Sequence, residues 1–174
     1  GSCSYGGAVA EDVYAAVRRA GGIIMLCPNY NDALSANLTA FINRLTALFR
    51  TVRFYDKALF GIVVSGYSGS DIVAEQLIAA LNMNKTFYLP GGFTMMETAN
   101  DAGTALKLPG IEGRMDAFAG RIRRTLLAGA AMEDAPAAAK NKAAMEGAPG
   151  ASKSEAAAGR GSDRGDEREE RGDL

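Results

Sequence analysis

The 174-residue sequence predicts an α/β fold in which a parallel sheet has helices on both faces. Two observations lead to this prediction. The short runs Ile23–Cys27 and Ala58–Val64 carry no polar side chain, as is typical of parallel strands that are buried on both faces. Amphipathic helical patterns lie between such runs, and this alternation is typical of strand–helix–strand crossover units.

The first part of the chain predicts two helices with a strand between them. A helix is predicted over Ala10–Ala20, where apolar residues recur at the spacing of one helical face, and Gly21 and Gly22 end it. Pro28 ends the strand that follows. A longer helix is predicted over Leu34–Phe49, because its apolar side chains form one continuous stripe.

The predicted helix starts carry candidate capping residues. Asp32 and Ser35 can each accept a hydrogen bond from the first turn of the second helix. Ser70 is predicted to cap a third helix over Asp71–Leu81 in the same way. A short third strand is expected over Thr86–Leu89, where a proline and two glycines follow.

The remainder of the folded region predicts one more helix and the place of a binding site. Residues 94–108 show no clear period, and the last helix is predicted over Ile111–Leu127. In parallel α/β sheets, ligands bind at the carboxyl ends of the strands. We therefore expect the binding site at the loops that follow the predicted strands, which are 27–32, 65–70 and 90–94.

The composition of the chain changes near residue 129. Residues 130–174 contain thirteen alanines, seven basic and ten acidic residues, and no Phe, Tyr, Ile or Val. Such a segment cannot bury enough apolar surface to offset its loss of conformational entropy, so we predict a disordered low-complexity tail. Residues 1–129 are predicted to form the folded domain.

The composition also excludes several classes of function. The sequence contains no histidine, which excludes Ser-His-Asp and Cys-His catalytic sites and zinc sites that use histidine. Residues 1–129 carry 12 basic and 10 acidic residues, so no nucleic-acid-binding surface is predicted. Because no apolar run of about 18 residues and no signal-peptide pattern is present, we expect no membrane span and a cytoplasmic location.

Some residues with reactive or charged side chains are predicted to be structural. Cys27, at the end of an apolar run, is predicted to be a buried thiol, and Met95 and Met96 are predicted to fill the core. The arginines of the last helix are predicted to form a solvated face. They are Arg114, Arg121, Arg123 and Arg124.

The loop after the first predicted strand carries side chains suited to a planar ligand. Tyr30 can stack on an aromatic ring, and the amides of Asn29 and Asn31 offer both donors and acceptors. Pro28 makes the start of this loop rigid. The alternative is a polar turn in which the tyrosine covers the edge of the sheet, and residue spacing alone favours that alternative.

The loop after the second predicted strand is a second candidate binding segment. Ser65, Gly66, Tyr67 and Ser68 precede a predicted helix, and hydroxyl and N–H groups at a helix start can receive an oxygen-rich or anionic group. The loop matches neither the G-x-G-x-x-G pattern nor the Walker pattern. The alternative is a short strand-to-helix turn that binds no ligand.

Several segments match one known protein family. Pro28 and Tyr30 match its P-x-Y pair. The segment Phe41–Arg44 matches the end of its next helix, with asparagine in place of aspartate, and Lys57 matches the lysine before its next strand. On these matches, which extend over about residues 3–128, the sequence resembles the NADPH-dependent FMN reductase family. The resemblance implies a flavodoxin-like three-layer sandwich.

The resemblance also implies where a cofactor would bind. In this family FMN lies across the carboxyl ends of the strands. By resemblance, Pro28–Asn31 would line one side of the flavin, and Ser65–Ser68 would contact its pyrimidine end. The bound flavin would supply the hydride chemistry, which is compatible with a chain that has no histidine.

The sequence departs from the family pattern in two respects. The family's first strand and its phosphate-binding loop lie before the matched region, so we predict that this domain lacks its first strand, and no residue is assigned to the phosphate. The iron–sulfur branch of the family has a compact cysteine cluster before an acidic pair that Glu11 and Asp12 match. Cys3 alone does not predict an iron–sulfur cluster.

The function implied by the resemblance is that of an FMN-dependent NAD(P)H oxidoreductase. It would transfer reducing equivalents through bound flavin to a small acceptor such as a flavin or a quinone. A homodimer is expected from the family, with no nucleic-acid or membrane partner. The alternative is a non-catalytic flavodoxin-like fragment or dimerisation module that no longer binds FMN.

Overall fold

A computed structural model describes residues 12–133 of the chain. Within these residues, three strands form one parallel sheet in the order β1, β2, β3. Strand β1 spans Gly22–Pro28, β2 spans Ala58–Ser65 and β3 spans Thr94–Thr98. The predicted α/β class with a parallel sheet is confirmed.

Four α-helices accompany the sheet in the described part of the chain. Helix α1 spans Tyr14–Arg19, α2 spans Ala36–Phe49, α3 spans Ser70–Leu77 and α4 spans Ile111–Glu133. Helix α3 continues directly into a π-helical segment, Ile78–Met83. The four predicted helices are therefore present, although their bounds differ from the prediction.

The largest difference in bounds is at the end of the last helix. Helix α4 continues to Glu133, beyond the predicted end at Leu127. The first four residues of the predicted tail are thus helical, and residues 134–174 lie outside the described part of the chain. The predictions for Cys3 and Glu11 also lie outside it.

Apolar clusters lie on both faces of the sheet, which confirms the predicted three layers. Because successive residues of a strand point to opposite faces, Leu59 and Val63 of β2 lie in one cluster, and Ala58 and Phe60 lie in the other. The larger cluster packs α1, α2 and α3 against the sheet. Its buried members are Val17, Met25, Cys27, Ile42, Leu45, Leu48, Phe54, Leu59, Val63, Val73, Leu77, Leu81 and Phe87. The smaller cluster packs α4, and its buried members are Ala58, Phe60, Met95, Ile111 and Phe118.

Strand β1 is buried on one face and exposed on the other, so the expectation of burial on both faces is wrong for this strand. Met25 and Cys27 belong to the larger cluster, which confirms the prediction of a buried thiol at Cys27. Ile24 and Leu26 point to the opposite face and are 49% and 63% exposed. Among the described residues, β1 pairs with β2 and with no other strand.

The predicted third strand over Thr86–Leu89 is wrong. Of these residues, Tyr88 forms an isolated bridge with β2, and the third strand is β3. In β2, the Leu59 N–H donates to the Tyr88 carbonyl at 2.8 Å, and the Gly61 N–H donates to the Phe93 carbonyl at 2.9 Å. The segment between these two carbonyls loops out of the sheet because it contains a proline and two glycines.

One predicted cap is confirmed and another is wrong. Ser35 is the N-cap of α2, where its Oγ accepts a hydrogen bond from the Leu38 N–H at 3.3 Å. Ser70 is the first residue of α3, and the N-cap position belongs to Gly69, whose φ is +88°. A left-handed backbone suits glycine, which explains why serine does not occupy that position.

Two of the four predicted solvated arginines instead join α4 to the region of β3. Arg114 forms a two-point ion pair with Glu97, with both N–O distances at 2.7 Å. Arg121 donates to a backbone carbonyl in the turn before β3 at 2.7 Å. In β3, Met95 is buried as predicted, whereas Met96 is 49% exposed, so the prediction that Met96 fills the core is wrong.

Candidate functional site

The three strands end at one edge of the sheet, which we call the carboxyl edge. In the strand register, Pro28 lies beside Val64, and Ser65 lies beside Thr98. The predicted loops after β1 and β2 therefore lie side by side at this edge, as expected. The third predicted loop, 90–94, lies at the start of β3 rather than at its end, so its assignment to the site is wrong.

The side chain of Asn29 joins the loops that follow β1 and β2. Its Nδ2 donates to Ser65 Oγ at 3.0 Å and to Asp32 Oδ1 at 3.3 Å. The same atom donates to the Ser68 carbonyl at 3.2 Å. The Asn29 N–H donates to the Val64 carbonyl at 2.8 Å and so continues the pairing of β1 with β2. Asn29 therefore fixes the position of the two loops relative to each other.

Ser65 is placed inside the structure rather than on the surface of the site. Its side chain is fully buried, and its Oγ is 2.6 Å from Ser70 Oγ in the first turn of α3. With the bond from Asn29, this hydroxyl has two polar partners. The contacts thus hold the end of β2, the loop and the start of α3 together.

The loop after β1 contains two consecutive residues with left-handed backbone. The φ angles are +54° at Asn31 and +58° at Asp32. The Tyr30 N–H donates to the Ala33 carbonyl and the Ala33 N–H donates to the Tyr30 carbonyl, both at 3.2 Å. Positive φ at both central residues is characteristic of a type I′ turn. This turn places Tyr30 at the surface.

Two glycines in the second loop allow close approach of neighbouring side chains. A Cβ on Gly69 would lie 1.7 Å from Asp32 Oδ1, and a Cβ on Gly66 would lie 2.7 Å from Asn100 Oδ1. Asn100 follows β3, so all three strand ends contribute to the carboxyl edge. A larger residue at either glycine would displace a polar side chain of the site.

The eight predicted site residues therefore divide into two groups. Asn29 and Ser65 hold the loops from within. The others lie at or near the surface of the carboxyl edge, where Tyr67 is 81% exposed and Tyr30 is 61% exposed. The remaining members of this second group are Pro28, Asn31, Gly66 and Ser68.

The carboxyl edge offers amides, hydroxyls, backbone groups and the Asp32 carboxylate, and its loops contain no basic side chain. Burial raises the pKa of the Cys27 thiol to about 11, so this thiol stays protonated near neutral pH and is a poor nucleophile. The described loops 28–35, 65–70 and 99–104 contain neither lysine nor arginine. The edge can therefore orient a ligand through amides, hydroxyls and backbone groups, whereas it offers no positive side chain to an anion.

Sequence reasoning missed four residues that shape this edge. Asp32 is a predicted cap of α2, but its carboxylate instead accepts a hydrogen bond from the Asn29 amide. Asn100 contacts the second loop from a position with no distinctive local pattern. Gln76, in α3, bonds to the backbone of the turn after β1. A glycine between two serines was the one available signal, and it pointed to Gly69.

Residues 12–133 contain neither a candidate metal site nor a candidate membrane span. No three side chains of His, Cys, Asp or Glu lie close enough together to hold a metal ion. No described helix has both the length and the apolar character needed to cross a bilayer.

Comparison with known proteins identifies one family and two similar structures. The family model described as NADPH-dependent FMN reductase matches residues 2–101. No curated protein matches the sequence. The structure of the flavodiiron protein from Giardia intestinalis is similar with a TM-score of 0.43 and 15% identity, over 65% of this chain and 26% of that one. The structure of Trp repressor binding protein from Bacillus subtilis is similar with a TM-score of 0.45 and 20% identity, over 65% of this chain and 72% of that one. The chain thus spans about a quarter of the length of the flavodiiron protein.

Proposed function

The chain belongs to the NADPH-dependent FMN reductase family of flavin-dependent oxidoreductases, and on this premise we propose that it binds FMN at the carboxyl edge. In this proposal the bound flavin accepts reducing equivalents from NAD(P)H and passes them to a small acceptor such as a flavin or a quinone. The proposal includes a homodimer, which the family implies, and a cytoplasmic location, for which the sequence pattern is the basis.

The observation that carries the proposal is the pair of exposed tyrosines on two loops that are fixed to each other. Tyr30 and Tyr67 are 61% and 81% exposed, and Asn29 bonds to both of the loops that carry them. Large exposed aromatic side chains at a strand-end crevice favour a flat ligand, because ring stacking removes their apolar faces from water.

The residues of the carboxyl edge fit the isoalloxazine ring of FMN. Its carbonyl and N–H groups need neutral donors and acceptors, which the backbone around Gly66, the Asn31 amide and the Ser68 hydroxyl can supply. The first N–H groups of α3 have no acceptor within the helix and face this edge as well. No described residue of these loops is basic, so the phosphate of FMN is not assigned to any of them.

The chain's own contribution is to orient the flavin rather than to transfer protons. When bound, FMN supplies the hydride and electron chemistry. The Asn29 amide and the buried Ser65 hydroxyl hold the two loops at a constant separation, and the tyrosines and backbone groups then determine how the ring lies. The absence of histidine is compatible with this division of roles.

Titration of the full chain with FMN tests the proposal. Flavin fluorescence should be quenched with micromolar or tighter affinity. Tyr30→Ala should weaken binding about tenfold, the size expected for loss of a good aromatic stacking contact. The variant should leave the free energy of unfolding within about 0.5 kcal/mol of wild type, because the side chain is mostly exposed.

A glycine pair supplies the matched control for this titration. Gly66→Ala places a Cβ against Asn100 Oδ1, whereas Gly91→Ala meets no atom within 4 Å. We expect Gly66→Ala to weaken FMN binding and Gly91→Ala to leave it unchanged. If wild type does not quench flavin fluorescence at micromolar concentrations, the proposal is wrong and the chain is a flavodoxin-like module that does not bind FMN.

A further inference from the structure

The turn that presents Tyr30 is unfavourable on its own. Asn31 and Asp32 both have positive φ, at +54° and +58°. Left-handed backbone costs a non-glycine residue about 1–2 kcal/mol, although asparagine and aspartate tolerate it better than most. The two hydrogen bonds of the turn, between Tyr30 and Ala33, are both 3.2 Å, at the long end of the normal range. Such a conformation persists where the surrounding structure holds it.

The side chain of Gln76 provides that support with both ends of its amide. Its Nε2 donates to the Asp32 carbonyl at 2.8 Å, and its Oε1 accepts from the Leu34 N–H at 3.1 Å. These two backbone groups lie on either side of Ala33, the last residue of the turn. Gln76 thus forms two hydrogen bonds with the backbone around the turn, although it lies more than forty residues away in sequence.

Helix α3 is a rigid base for this contact. Its Val73 and Leu77 are fully buried in the larger apolar cluster, and Leu77 directly follows Gln76. The Asn29 amide also reaches the turn, but it contacts the Asp32 carboxylate at 3.3 Å and shares its nitrogen with two other acceptors. Gln76 therefore contacts the backbone of the turn, whereas Asn29 contacts the side chain of Asp32.

We propose that Gln76 is a positioning residue, which holds the type I′ turn at Asn31 and Asp32 and thereby fixes the direction of Tyr30. The part of this inference that concerns FMN rests on the function proposed above. The part that concerns the turn rests on the hydrogen bonds alone and can be tested without flavin.

Amide hydrogen exchange, measured by NMR on the full chain without flavin, tests the turn. Gln76→Leu keeps the size and helix propensity of the side chain and removes both hydrogen bonds. We expect the Ala33 amide to exchange about thirtyfold faster, since the two lost bonds are worth about 1 kcal/mol each. Ala33 is the informative probe because its own acceptor, the Tyr30 carbonyl, is unchanged. Amides in the centre of β2 should exchange as in wild type.

Two further variants separate this role from a general loss of stability. Glu75→Leu makes a comparable change at the neighbouring exposed position of α3 and should leave Ala33 exchange unchanged. Asn31→Gly, added to Gln76→Leu, should restore part of the protection of Ala33 because glycine adopts positive φ without strain. Unchanged Ala33 exchange in Gln76→Leu, or no recovery with Asn31→Gly, would overturn the proposal.

FMN titration then tests the link to Tyr30. Gln76→Leu should weaken FMN binding about fivefold in the wild-type background and have almost no effect when Tyr30 is already alanine. Equal weakening in both backgrounds would show that Gln76 does not act through Tyr30. If wild type itself does not bind FMN, the proposed function fails, and the exchange of Ala33 still decides whether Gln76 holds the turn.

Discussion

The two edges of the sheet are built in different ways. At the carboxyl edge, polar side chains bond to one another across loops, two residues have left-handed backbone, and two tyrosines are exposed. At the opposite edge, where β1 and β2 begin and which we call the amino edge, Phe54 and Phe87 are fully buried, and the buried Lys57 bonds to backbone carbonyls. Stability therefore comes mainly from the amino edge and the core, and ligand contacts are expected at the carboxyl edge.

The largest effect on stability is expected at Phe54. Its ring is fully buried, with its centroid 4.6 Å from that of Phe87 and 5.8 Å from that of Phe49. Phe54→Ala should lower the free energy of unfolding by about 3–5 kcal/mol, because it removes buried apolar surface and leaves a cavity. Urea unfolding followed by circular dichroism measures this change.

The adjacent residue offers the matched control for Phe54. Tyr55 is 69% exposed, and Tyr55→Ala should change the free energy of unfolding by less than about 0.5 kcal/mol. If the two variants lose equal stability, the distinction between a stabilising amino edge and a binding carboxyl edge is not supported.

A smaller loss of stability is expected at Lys57. Its Nζ donates to the Arg18 carbonyl in the last turn of α1 at 3.0 Å. It also donates to the Ala20 carbonyl, just after this helix, at 2.8 Å. Lys57→Met keeps the stem of the side chain but leaves both carbonyls without this donor. We expect a loss of about 2 kcal/mol in the free energy of unfolding, as for hydrogen bonds from a charged group. Urea unfolding measures it.

The comparison of edges also predicts what Lys57→Met does not change. FMN affinity of the folded variant should equal that of wild type, because Lys57 lies at the amino edge. Lys107→Met, at an exposed lysine, should leave stability unchanged. A loss of FMN binding with wild-type stability would instead place Lys57 in the binding machinery.

The elements that were predicted well are those with a strong local pattern. The apolar runs of β1 and β2 and the apolar stripe of α2 each determine an element within a few residues of its observed bounds. The prediction of the third strand was wrong because Thr86–Leu89 and β3 are similar short segments separated by a turn. Which of them pairs along β2 depends on contacts with Leu59 and Gly61, distant in sequence.

The placement of the loops after β1 and β2 was predicted from the sequence, whereas the contacts of their side chains were not. Chain order and the general rule for parallel sheets located the loops after β1 and β2 at one edge. Asn29 and Ser65 hold the loops together, whereas Tyr30 is exposed. This difference depends on the side-chain hydrogen bond between Asn29 and Ser65, which are 36 residues apart in sequence. The contribution of Gln76 depends on how α3 packs, and no local pattern reports that.

At the carboxyl edge, Gly69→Ala should have a moderate effect on stability. Gly69 has φ +88°, and an added Cβ would lie 1.7 Å from Asp32 Oδ1. The Asp32 carboxylate must then move away and lose its bond with Asn29. We expect a loss of about 1 kcal/mol in the free energy of unfolding and, under the proposed function, weaker FMN binding.

Urea unfolding and FMN titration measure the two effects of Gly69→Ala, and Gly91→Ala is the control for both. Unchanged FMN affinity in Gly69→Ala would mean that the arrangement of Asp32 and Asn29 does not matter for the ligand.

An effect that is absent at neutral pH is expected at Cys27, where the core meets the carboxyl edge. Burial raises the pKa of this thiol from 9.0 to about 11. As the pH rises above about 9, the unfolded state releases the thiol proton while the folded state keeps it. The stability that the buried neutral thiol contributes is therefore complete below pH 9 and is lost as the pH rises towards 11.

A double comparison isolates this contribution from the lysines and tyrosines that titrate in the same range. Free energies of unfolding are measured for Cys3→Ser and for Cys3→Ser with Cys27→Ala, each at pH 8 and pH 10. Removing the Cys27 thiol should cost less stability at pH 10 than at pH 8. At pH 10, ionisation of the thiol already stabilises the unfolded state of the chain that keeps Cys27. An equal cost at both pH values would mean that Cys27 titrates in the folded chain as it does in the unfolded one. Solvent would then reach the last residues of β1, and the boundary between the stable core and the carboxyl edge would lie before Cys27 rather than after it.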